Sequence, residues 1–147
     1  MKFFTREWAT GGLSDDEFES VAKRYQDHLE RLDLPAEVFR LANVDLHDGV
    51  VNRVEEAAEE LELTFVTGDQ QGGYFETIIT YANPLAWGAT MTFLQFAAGN
   101  SEYEVLEHEV DRLGSSFIHH VLFSSNDEAA IVFSSVAVTQ IPRSSRS

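Results

Sequence analysis

Three of the chain's five histidines, His108, His119 and His120, lie in one short stretch with Glu104, Glu107 and Glu109. Imidazole changes charge near neutral pH, and imidazole with carboxylate is a common donor set for acid–base chemistry or metal binding. The run around His108 reads as a strand, the run around His119 as a central strand apolar on both faces, and Leu113-Gly114-Ser115 between them has the composition of a tight turn. A two-residue turn at Leu113-Gly114 puts His108 opposite His119; a three-residue turn puts it opposite His120. Either register sets two imidazoles about 5 Å apart at Cβ. A metal needs three or four ligands converging on one face, and alternation sends Glu107 and Glu109 away from His108. The expectation is cross-strand packing with sensitivity to pH, and no metal or cofactor.

Two further groups carry polar chemistry. His47-Asp48 follows Leu46 at the entrance to an alternating run. In a strand these neighbours point to opposite faces, so His47 is expected to close the sheet end or line a surface pocket, with Asp48 bonding backbone amides. The acid row Glu102, Glu104, Glu107, Glu109 and Asp111 splits by alternation, with Glu104 on the face of His108 and the last three on the other. Unpaired carboxylates at two-residue spacing must meet solvent or a cationic partner, because burying them is costly. No phosphate-binding glycine loop and no Gly-x-Ser-x-Gly elbow occurs in the sequence.

These residues need elements to position them. Ser14 and Glu17 have capping-box spacing, and Phe18, Val21, Ala22, Tyr25, Leu29 and Leu32 recur at three- and four-residue steps. A long helix is predicted there. Pro35 opens a second helix whose Val38, Phe39 and Ala42 face inward. From residue 46 onward alternation dominates, and strands are predicted at 46–55, from Leu61 through Phe65, 74–81, 89–97, 103–111, 117–123 and 130–138. The stretch Glu56-Ala57-Ala58-Glu59-Glu60 has helical composition between two strands. The connections are too short for parallel crossovers. The fold expected is α+β, an antiparallel meander sheet of six to seven strands with two N-terminal helices packed on one face. Residues 1–141 form one domain with Phe3, Phe4 and Trp8 packed onto it, and residues 142–147 a disordered tail.

The chain has 147 residues and a formal net charge of −15. Such a charge repels nucleic acid and anionic lipid, and it reads as a solubility trait, as a surface for a basic protein partner, or as a cation site. The absence of cysteine excludes disulfides, thiolate metal sites and cysteine nucleophiles. No apolar run reaches the roughly 18 residues of a membrane span, and the acid- and aromatic-containing start does not read as a signal peptide. A cytoplasmic location is the expectation.

The opening Met1-Lys2-Phe3-Phe4-Thr5-Arg6-Glu7-Trp8, the Leu46-His47-Asp48 entrance with Val50 and Val54, and the run 103–109 leading to 117–123 resemble a group of uncharacterised bacterial proteins grouped as a domain of unknown function. The His-Asp entrance and meander are also similar to parts of small bacterial immunity proteins, which bind and block toxins. The resemblance implies a binding role and carries no catalytic residues. The function expected is a non-enzymatic acidic module that binds a basic protein. The alternative is a hydrolase or metal-binding protein using the His/Glu cluster.

Overall fold

The computed structural model describes residues 1–9, 11 and 13–146. A short helix α1 (Arg6–Ala9) precedes α2 (Asp15–Leu32) and α3 (Ala36–Asn43). Ser14 caps α2 by accepting from the Glu17 amide, as the spacing predicts, and its hydroxyl donates to the Glu17 carboxylate. Val21, Tyr25 and Leu29 form the buried stripe of α2, and Asp33 in the left-handed conformation ends it. Two predicted inward residues lie largely outside: Phe18 stacks on Trp8 with ring centroids 4.2 Å apart, and Phe39 is exposed. The N-terminal aromatics pack as expected, with Phe4 and Trp8 buried.

The strands are β1 (Val50–Glu56), β2 (Glu60–Asp69), β3 (Gly73–Ala82), β4 (Leu85–Ala86), β5 (Val105–Leu113), β6 (Ser116–Phe123), β7 (Glu128–Phe133) and β8 (Ser135–Arg143), with a helix α4 (Thr90–Ala97) between β4 and β5. The α+β class and antiparallel pairing hold. The single meander does not, because the strands form two four-stranded sheets, ordered β1-β2-β3-β8 and β4-β7-β6-β5. The expected last strand is two strands in different sheets. The chain crosses between them at Ser134, whose amide and hydroxyl both donate to the Ala82 carbonyl.

The expected strand at 89–97 is helix α4. Its buried residues Thr90, Leu94 and Ala97 are spaced four and three apart, which is the period of a helix and not of a strand. Strand β8 continues through Pro142 and Arg143, paired with Phe75 and Tyr74, so the frayed tail expected from residue 142 does not begin there.

Leu63 and Phe65 of β2, Ile79 and Tyr81 of β3, and Ile131 and Phe133 of β7 are fully buried in one continuous core. Tyr81 touches both Phe133 and His119 of β6, so the inner faces of the two sheets meet. Helix α3 packs on β8 and β5, and α4 on β1 and β7, so each helix ties one sheet to the other. Among the described residues no helix is long and apolar enough to cross a membrane.

Candidate functional site

The β5–β6 turn is Gly114-Ser115, with Leu113 paired to Ser116. Gly114 there takes a positive φ, which suits glycine. The register lies beyond both sequence-based alternatives: His108 faces Val121, His119 faces Val110, and His120 faces Glu109. His108 and His119 therefore meet on the diagonal, on the inner face. Their rings form one buried chain of hydrogen bonds. Tyr81 Oη lies 2.7 Å from His119 Nδ1, His119 Nε2 lies 3.0 Å from His108 Nδ1, and His108 Nε2 lies 2.7 Å from the Val44 carbonyl oxygen.

The carbonyl end sets the direction of the chain. Val44 O can only accept, so His108 Nε2 donates. With both rings neutral, His108 Nδ1 accepts from His119 Nε2, and His119 Nδ1 accepts from the Tyr81 hydroxyl. Burial drives His108 down to about 4. It drives His119 well below the usual imidazole range, with the neighbouring His108 and His120 adding to the shift. Each ring nitrogen has a protein partner, which leaves no lone pair aimed at a shared metal.

The outer face of β5 departs further from expectation. Glu109, read from the sequence as solvated, is only 2% exposed. The N-terminal segment lies over it, and its carboxylate accepts from the Lys2 and Phe3 amides, the latter at 2.9 Å. Burial raises its pKa, opposed by those two amides, the terminal ammonium and His120. His120 contacts Glu128 at 3.0 Å, and the Met1 ammonium contacts the same carboxylate at 2.7 Å. Asp111 contacts His28 at 2.9 Å. Burial pulls Asp111 up, but the His28 bond, the Arg112 amide and the charges of His28 and Lys2 hold it below the usual range.

His47 and Asp48 lie in a turn, not in a strand. Asp48 has φ 61°, and β1 starts only at Val50. The two side chains therefore meet, at 3.5 Å. His47 Nδ1 lies 2.8 Å from the Leu106 carbonyl, a bond that raises its pKa against the effect of burial, with help from Asp48, Glu107 and Asp45. His47, Glu107 and Asp45 line a cleft of about 250 Å3 between the helices and β5, with His108 below. Burial raises Glu107, opposed by the His108 amide and His47. Glu104 stands apart at the mouth of the sandwich and pairs with Arg146 at 3.5 Å. The eight residues named from the sequence thus split into four environments, and among the described residues no group of three or more His, Asp or Glu is placed to share a metal ion.

Sequence reasoning missed Tyr81, Val44 and Glu128. Tyr81 carried one weak signal, its inward alternation with Ile79; the other two had none. It also named no site residue of a second acidic surface. Five of the eight residues from Glu55 to Glu62 are glutamate. They form the β1–β2 hairpin, where Glu55 lies directly opposite Glu62. Glu55, Glu56, Glu59 and Glu60 are exposed. Arg53 pairs with Glu55 at 3.2 Å, and Gln95 donates to Glu56 at 3.3 Å. Beside the hairpin a groove of about 240 Å3 is lined by Glu56 and Glu60 and by apolar Leu61, Pro84, Ala86 and Met91. Protein-family models, curated proteins and solved structures contain no match to this chain.

Proposed function

We propose that this chain is a non-enzymatic binding module that docks a basic protein, as small immunity proteins do. The observation that supports it is the β1–β2 hairpin. Four of its five glutamates are exposed, and among the described residues Arg53 is the one cation in an ion pair with any of the five. Glu55 opposite Glu62 is a like-charge pair that destabilises the free protein and that a partner's cation would relieve. The adjoining groove suits a lysine or arginine whose stem lies on Pro84 and Met91 and whose charge reaches Glu56 or Glu60. Exposed Leu85 next to the groove supplies an apolar anchor. The net charge of −15 speeds encounter with a basic partner from a distance.

The acid row at and before β5 has less to offer such a partner, because Glu109, Asp111 and Glu104 already hold internal donors. The alternative, a hydrolase or metal-binding protein, has its best footing in the cleft of His47 and Glu107. There a carboxyl with raised pKa stands near an imidazole, without a nucleophile arranged between them. Capture from native lysate separates the two readings. The wild-type chain should retain a basic protein at low salt and release it at high salt. A variant carrying Glu55→Lys, Glu59→Lys and Glu60→Lys should lose it, and Glu104→Gln should keep it. An unchanged retained set with the triple variant would overturn the assignment.

A further inference from the structure

A hollow of about 540 Å3 opens where β1, β2, the α4–β5 loop and the end of β8 converge, at the opposite end of β1 from the acidic tip. Val50 and Val66, paired across the ladder and both buried, line its apolar part, and Val51 beside them belongs to the core. Ser101, Arg143 and Arg146 supply the polar part. The volume falls in the range of small-molecule sites, and an apolar lining with a few convergent polar groups is their usual makeup. The loop wall is tied down, since the Gly99 amide donates to the Val51 carbonyl at 2.9 Å.

The two guanidinium groups are held in place. Arg143 pairs with Glu76 at 3.1 Å and donates to the Ser145 carbonyl at 2.8 Å. Arg146 donates to the Asp48 carbonyl at 3.2 Å and pairs with Glu104 at 3.5 Å. A guanidinium has five N–H donors in a fixed fork, more than these bonds to described residues use, and the fork matches a carboxylate. The chain has ten lysines and arginines against 25 acids, so two arginines on one apolar hollow is a local exception. The same net charge penalises a dianion more than a monoanion.

We propose that this hollow binds a small organic monoanion, a carboxylate carrying an apolar body. The valines take the body and the two arginines orient the head. The test is an NMR titration of the isotope-labelled full chain with octanoate, octylamine and octyl phosphate as probes. Octanoate should shift the methyl resonances of Val50 and Val66 saturably, and octylamine should leave them in place. Octyl phosphate should bind more weakly than octanoate. Arg143→Gln and Arg146→Gln should each weaken octanoate by about tenfold, the loss of one charge-assisted contact. Ser101→Trp, at an exposed position, should fill the hollow and abolish binding with both arginines intact. No saturable shift, equal shifts by octanoate and octylamine, tighter binding of the phosphate, or undiminished binding by Ser101→Trp would each overturn the proposal.

Discussion

The β5–β6 and β1–β2 hairpins are both rich in ionisable residues, yet they use them in opposite ways. In β5–β6 the polar groups point into the protein. His108 and His119 complete a chain from Tyr81 to Val44, and Glu109 anchors the N-terminal segment. In β1–β2 the glutamates point out and even oppose each other across the ladder. The lesson is that a charged side chain's value depends on where its partner comes from. Glu109 takes its donors from residues more than 100 positions away in the same chain, whereas the partner of Glu59 or Glu60 has to arrive from another molecule.

Matched substitutions in the two hairpins should break that symmetry most sharply. His119→Ala should cost about 3–5 kcal/mol of stability, because it opens a cavity and strands both His108 Nδ1 and the Tyr81 hydroxyl. Chemical denaturation measures this, and a loss under 1 kcal/mol would show the chain to be incidental.

The next effect is on pH dependence. His108 titrates near 4 in the folded protein against about 6.5 unfolded, and His119 is displaced the same way. The unfolded chain then binds more protons than the native one between these values. Stability is full above pH 6.5 and is lost as pH falls toward 4, by roughly 3 kcal/mol for His108 alone. The raised Glu107 and Glu109 act oppositely, gaining protons more readily in the fold, and so soften the loss. Melting temperatures at pH 7 and pH 5 should differ in the wild type, and differ much less after His108→Leu with His119→Phe.

Smaller again is Glu109→Gln, which keeps the shape but replaces a charge-assisted acceptor by a neutral one. A cost of about 1–2 kcal/mol is expected, with faster amide exchange at Lys2 and Phe3, the two donors it holds. The smallest effect belongs to the other hairpin. Glu62→Lys turns a like-charge pair with Glu55 into an opposite one and should stabilise by about 0.2–1 kcal/mol. Destabilisation there would mean that the β1–β2 carboxylates serve the fold after all.

What the sequence revealed follows the same division. Local physics was legible: the Ser14 cap, the buried stripe of α2, and the alternation of β3 needed only near neighbours. Helix α4 was misread because Phe93 and Leu94 invite a strand reading, while the four- and three-residue spacing of Thr90, Leu94 and Ala97 decides it. The change of sheet at Ser134 depends on Ala82, 52 residues away, and leaves no local mark. The histidine pairing was foreseen in kind and missed in register, because the turn fell one residue later than either alternative. The burial of Glu109 was illegible, since alternation shows which face a carboxylate occupies and not what covers that face.

Hydrogen–deuterium exchange on the captured complex tests the division of roles most directly. Docking at the acidic hairpin requires new protection across residues 55–62 and around Leu85 and Met91, with exchange at residues 107–111 unchanged. Protection centred on the β5 face, with the β1–β2 hairpin exchanging as in the free chain, would contradict it.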